Sequence, residues 1–323
     1  MAQTKEIQRR IKSINNTKKI TKAMEMVAAA KMRKAIEAVL KTRQYANLSW
    51  LTVLNISKSI GSGKDLHPLL SKREDSKKIC VILISSNRGL CGGFNTAVIN
   101  KVHNSIQKHS PRRQDGKKAD RYITEFVIIG KKGNLINSRY KYNVIADFPK
   151  LDIVSEVKEV RPVAKLVIDD FLAEKYDKIM VAYTDYVSAS KQVPRVKQIL
   201  PVDIEAENDH LGVVGADTRV GLDKEFIEKK YNKENQKSFQ FIYEPNAQVV
   251  LDNIIPRLIE VQLFQALLES NASEHSARMQ AMHQASESAG ELVEELTLFY
   301  NKARQAGITA EIAEISAGAN SLG

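Results

Sequence analysis

Aromatic side chains make up only 6% of this 323-residue chain, with a single Trp. That is sparse for a molecule built wholly around one large core, and slim helices rich in Ala and Met would explain it. Cysteine is scarcer still. Cys80 and Cys91 are the only two, and the six histidines are scattered, so no metal-ligand spacing appears. Met1 leads straight into AQTKEIQRRIK, without the apolar region of a secretory signal. A reducing compartment and free thiols are therefore expected. No stretch approaches the roughly eighteen apolar residues needed to span a bilayer. No Pro or Gly occurs before Gly61, so nothing in the first sixty residues interrupts a helix.

That uninterrupted stretch carries the clearest pattern in the chain. Ile7, Ile11, Ile14, Thr21, Ala28, Met32, Ala35 and Val39, and on to Ile60, keep steps of three and four with a few polar gaps. Such a narrow stripe is a coiled-coil seam. A helix of this length would reach about 90 Å at about 1.5 Å per residue, which calls for a partner along its length. Thirteen Lys and Arg stand here against Glu6, Glu25 and Glu37, nearly the whole net charge of +11. A basic arm for nucleic acid is one reading, although aromatics are not interleaved with the cations. Pairing with an acidic helix is another.

The middle of the chain changes character. Gly61-Ser62-Gly63-Lys64 resembles a phosphate loop only superficially: Asp65 stands where Ser or Thr is required, and no strand precedes it. From Lys78, ICVILI reads as a strand buried on both faces, followed by the turn Ser85–Asn95 and a helix near Thr96–Lys108. The turn is rich in glycine but lacks the dinucleotide spacing, so it reads as a packing turn. Further strands are expected at Thr124–Ile129, Asn143–Asp147, Asp177–Thr184 and Ser238–Tyr243. An edge strand or hairpin is expected within Val187–Ile204, and a helix over Ser155–Tyr176. Strands alternating with helices imply an α/β domain with a mostly parallel sheet. No nucleophile, base and oxyanion set assembles from the strand ends. No cofactor is expected.

After Pro245 a helical pattern resumes and runs to the end, with Met282, Ala289, Leu292, Leu296, Phe299 and Ala303 among its apolar positions. Pro256 is read as opening its long section. Ten acidic residues here oppose four basic ones, so the two terminal helices are matched in charge for an antiparallel pair. The fold expected is α/β: a long antiparallel coiled coil of the N- and C-terminal helices with an inserted Rossmann-like α/β domain. Residues 1–60 form the first shaft helix, 61–77 a connector, 78–244 the inserted domain and 245–323 the last helix.

Three stretches carry a resemblance: IKSINNTKKITKAMEMVAAAKMRK at Ile11–Lys34, NRGLCGGFN at Asn87–Asn95, and ITAEIAEISAGA at Ile308–Ala319. Together they resemble the γ subunit of bacterial F-type ATP synthase. The resemblance implies a non-catalytic rotor shaft that turns within a ring of alternating catalytic and non-catalytic nucleotide-binding subunits (α3β3), coupling ion flow to ATP synthesis or hydrolysis. It implies the ε subunit and the membrane c-ring as further partners, no nucleic acid, no membrane span of its own, and a peripheral place on the cytoplasmic face of the inner membrane. It places Met24, Arg304, Gln305 and Thr309 near a loop of the catalytic subunit. Ile308, Ile312, Ile315, Ala317, Gly318 and Ala319 become a bearing tip, and Tyr243 and Glu244 lie toward the membrane rotor. The segments Ser110–Arg121 and Glu205–Lys237 look long for this family.

Overall fold

A computed structural model describes residues 2–60, 67–71, 73, 77–109, 122–152, 156–202, 243–244 and 246–321. The glycine connector, Ser110–Arg121, Glu205–Lys237 and most of the strand expected at Ser238–Tyr243 lie outside the described residues. The elements are α1 (Ala2–Ile60), β1 (Lys78–Ile84), α2 (Phe94–His109), β2 (Ile123–Ile129), α3 (Leu135–Tyr140), β3 (Asn143–Phe148), α4 (Arg161–Leu172), β4 (Lys178–Tyr186), β5 (Gln192–Leu200) and α5 (Ala247–Ser321). The chain divides into two compact units, one of Met1–Ala29 with Arg278–Gly323, the other of Ala30–Ala277.

In the larger unit, five strands stand in the order β3-β2-β1-β4-β5. The pairs β1–β2, β2–β3 and β1–β4 are parallel, and only β5 runs antiparallel, on β4. Pro194 lies within β5 at the sheet edge, where a missing N–H costs least. Alternation along β1 divides the core. Cys80, Ile82 and Ile84 pack with α4 and with parts of α1 and α5, and Val81 and Leu83 pack with Val98, Ile99 and Val102 of α2. Both faces are covered, which is why the strand reads as a continuous apolar run. Pro162 lies in the first turn of α4, where its fixed φ suits the helix.

One boundary differs from expectation. Pro256 does not open the long section of the last helix but sits inside it, and Asn246 caps the helix earlier. The Asn246 side-chain oxygen accepts the Val249 N–H at 2.9 Å. A capped N-terminus fixes the start more strongly than a proline ten residues later.

Candidate functional site: the helical pair and the sheet crevice

In the smaller unit the seam is as narrow as its spacing implies. On α1, Ile7, Ile11 and Ile14 are half-buried and Thr21 and Ala28 are buried. On α5, Met282, Ser286 and Ala289 are buried, and Val293, Leu296, Tyr300 and Ala303 are half-buried, again in steps of four and three. Two polar gaps in the α1 seam, Lys18 and Glu25, make contacts of their own. Glu25 Oε1 lies 3.3 Å from His283 Nδ1. A Cβ built on Gly290 would stand 2.9 Å from Lys18 Nζ, so glycine leaves room for the lysine to cross the helix. From Lys18 to Glu25 and from His283 to Gly290 is seven residues on each helix, in opposite senses, which makes the pair antiparallel. The acid of this cross-helix contact belongs to the basic helix.

The seam does not use every apolar residue that keeps helical spacing. Leu292 and Phe299 are exposed, and Val293 and Tyr300 take the positions facing α1. Leu298 is 72% exposed, Ile312 62% and Ile315 73%, and Ile308, Ile20, Met26 and Val27 are also exposed. Arg304, Gln305, Thr309 and Ala317 are exposed, with the Thr309 hydroxyl donating to the Gln305 carbonyl at 2.9 Å. Gly318 and Ala319 belong to α5, and their side-chain surroundings lie outside the described residues. Met24 is half-buried. By the register above it faces the region of residue 284, about twenty residues from Arg304, or ~30 Å along the helix. Met24 and the Arg304–Thr309 group thus occupy two levels of the unit, not one.

In the larger unit, the sheet has a switch point between β1 and β4, beyond the carboxyl ends of those strands. Open α/β sheets bind their ligands at such a crevice. Here α5 fills it. The Ser273 hydroxyl donates to the Thr184 carbonyl at 3.0 Å, and that of Ser276 to the Ala189 carbonyl at 2.7 Å. Glu274 meets Lys150 at 2.7 Å with both side chains buried. The Lys150 carbonyl in turn accepts from the Asn87 side chain.

The glycine-rich turn is closed by its own side chains. Asn95 Oδ1 accepts the Ser86 N–H at 3.0 Å, and Asn95 Nδ2 donates to Ser86 Oγ at 2.8 Å. Gly130, with φ +100, passes so close to Ser85 that a Cβ would lie 2.4 Å from its carbonyl oxygen. Burial raises the Cys80 thiol to about 12, so it is a thiol and not a thiolate at neutral pH. Among the described residues no group of three or more His, Cys, Asp or Glu is placed to hold a metal ion. Tyr243 packs half-buried against the core, and Glu244 is exposed. The buried Lys150–Glu274 pair escaped the sequence reading because its members are 124 residues apart and neither lies in a motif.

Comparison with known proteins places these features. The ATP synthase family model matches residues 3–322. An ATP synthase gamma chain of Nitrosomonas eutropha is 38% identical over 319 residues, covering 99% of both chains. The chain belongs to the ATP synthase gamma-chain family. A second gamma chain, from Symbiobacterium thermophilum, is 38% identical over 324 residues, covering 100% of this chain and 99% of its own. The fold is shared with a chain from the central stalk and c-ring structure of Tetrahymena thermophila mitochondrial ATP synthase. That match has a TM-score of 0.57 at 21% identity and covers 83% of this chain and 99% of the other. This family member is a central rotor-shaft subunit of an F-type ATP synthase, within a membrane-associated complex. Among the described residues no helix is long and apolar enough to cross a membrane. The nucleic-acid reading gains no support.

Proposed function

We propose that the two-helix unit is the part of this gamma chain that turns inside the α3β3 ring, and that it does so without chemistry of its own. The observation that carries the reading is the apolar surface the helical pair leaves outside its seam. Leu292, Leu298, Phe299, Ile308, Ile312 and Ile315 lie exposed on a helix that already has a partner. Water is a poor neighbour for so many large apolar side chains on so slim a unit, so they imply a sleeve. A sleeve that must slide needs contacts without strong polar anchors, and the tip from Ile308 through Ala317, Gly318 and Ala319 has small and apolar residues with few such anchors. Met24 then meets the catalytic subunits at one level, and Arg304, Gln305 and Thr309 meet them at another. A curved shaft presenting a different face to each catalytic subunit shifts each toward a different conformation in turn.

The crevice of the larger unit, filled by α5, supports a non-catalytic role for that unit. Its partners in this reading are the ε subunit and the c-ring, with Tyr243 and Glu244 toward the membrane rotor on the cytoplasmic face of the inner membrane. The proposed limits are 1–60 and 245–323 as shaft helices, 61–77 as connector and 78–244 as the inserted domain, with the inner stretches of both helices packed in the larger unit. The test is reconstitution with nucleotide-binding subunits from the same source. The chain is expected to co-assemble one per ring and to restore coupled ATP synthesis in vesicles. A ring that excludes it, or that couples fully without it, overturns the reading.

A further inference from the structure

In the larger unit, β4 and the buried stretch of α5 bring two carboxyl groups together away from water. Asp185 is 0% exposed and Glu269 2%. Their placement follows from the backbone: Ser273 is hydrogen-bonded to Thr184, and Glu269 lies one turn before Ser273 on the same face of α5, beside the next residue of β4. Their carboxyls are close enough to interact, and among the described residues no hydrogen-bond partner reaches either Asp185 oxygen or Glu269 Oε2. Two carboxylates have only acceptors to offer each other, and in a dry site the contact is repulsive. One proton turns it into an O–H to O⁻ hydrogen bond.

The charged groups that face the pair come from β5. Arg195 Nε lies 2.7 Å from Asp185 Oδ2, and Lys197 is buried beside them. Burial raises the Asp185 carboxyl, but Arg195 opposes this by engaging it directly, which leaves the more strongly raised Glu269 to carry the hydrogen. We propose that Asp185 and Glu269 form a single proton-binding site that joins α5 to the sheet and holds one shared proton at neutral pH, resident on Glu269. Burial first, and then the charge of Asp185, push the Glu269 carboxyl well above the usual range. The folded chain therefore binds this proton over a pH range where the unfolded chain has lost it. Its contribution to stability is complete below the ordinary carboxylate range and is lost as pH rises through the folded value. Release is to solvent, and it leaves two carboxylates between α5 and β4.

Infrared spectroscopy of the full chain at neutral pH tests this directly. One carbonyl band of a protonated carboxylic acid per chain is expected, shifted in heavy water and absent in Glu269→Gln. The thermal midpoint of the unaltered chain is expected to fall, as pH rises above the ordinary glutamate range, more steeply than that of Glu269→Gln, whose amide donates without titrating. In Asp185→Asn the band is expected to titrate away at lower pH than in the unaltered chain, because burial of Glu269 remains but the charge of Asp185 is gone. Absence of the band from the unaltered chain, a measurement that needs no variant to fold, overturns the proposal. So do parallel pH profiles, or a band in Asp185→Asn that titrates no lower than in the unaltered chain.

Discussion

One helix, α5, is built on opposite rules at its two ends. From Val261 to Ser276 every residue is buried, and Gln262, Gln265, Glu269, Ser270, Asn271, Ser273, Glu274, His275 and Ser276 are polar. From Glu291 onward the helix is largely exposed, and its exposed residues include Leu298, Phe299, Ile308, Ile312 and Ile315. Burial by hydrophobicity alone would predict the reverse. The polar stretch is tolerated because several of its groups find partners on the sheet and its loops: Ser273 with Thr184, Ser276 with Ala189 and Gln192, and Glu274 with Lys150. Partners of this kind fix position and register as an apolar contact cannot. The exposed apolar stretch has the opposite property, since its contacts are non-directional and suit a surface that must slide.

The contrast breaks most severely at Lys150. Lys150→Met should remove a buried counter-charge of Glu274 and destabilise the chain by ~3–5 kcal/mol. Chemical denaturation of the full chain reads this, and Lys150→Met with Glu274→Leu should recover most of the loss. A single variant as stable as the parent would mean that the polar stretch is not anchored through this pair. Next comes Gly130→Ala, beside Ser85 at the same end of the sheet. The left-handed φ and the carbonyl oxygen 2.4 Å from the new Cβ should cost about 1–3 kcal/mol, read in the same way.

A titration at the other end of the sheet separates anchorage of α5 from stability of the sheet itself. There the hydrogen bond from Tyr176, helped by Asn143 and opposed by burial, holds the Glu125 carboxyl below its ordinary value. A lowered value means stability present above the ordinary glutamate range and lost as pH falls through the folded value. Thermal midpoints of the chain should therefore drop on acidification, and Glu125→Gln should flatten that drop. An unchanged acid limb would remove Glu125 from the account.

How much of this was legible in the sequence depends on distance along the chain. The α1 seam was readable because its residues are seven apart, and even its gaps at Lys18 and Glu25 proved to be contact points. Strands β1 to β4 were readable from apolar runs closed by turns. The start of α5 just after Pro245 was readable as well, but the role of Pro256 was not, since it opens nothing and Asn246 makes the capping bond. Leu292 and Phe299 keep the right period one position away from the seam, and period alone cannot tell a face turned to α1 from one turned outward. Lys150 with Glu274, and Asp185 with Glu269, are joined only by the fold.

The smallest effect on folding is expected where the effect on function is largest. Ile312→Ser with Ile315→Ser replaces two side chains that are already 62% and 73% exposed, so it removes little buried surface. Stability of the isolated chain should stay within about 0.5 kcal/mol of the parent. Deletion of Ile308–Gly323 should likewise leave the thermal midpoint nearly unchanged, because Ile308–Ala317 lies exposed beyond the last half-buried seam residue, Ala303. In the assembled complex the same changes remove apolar contact with the ring, and ATP turnover should proceed with less ion transport per ATP. The comparison of the two ends of α5 is sharpened if stability holds while coupling falls. A large drop in thermal midpoint would break it, because the tip would then be packed within the chain and not reserved for a partner.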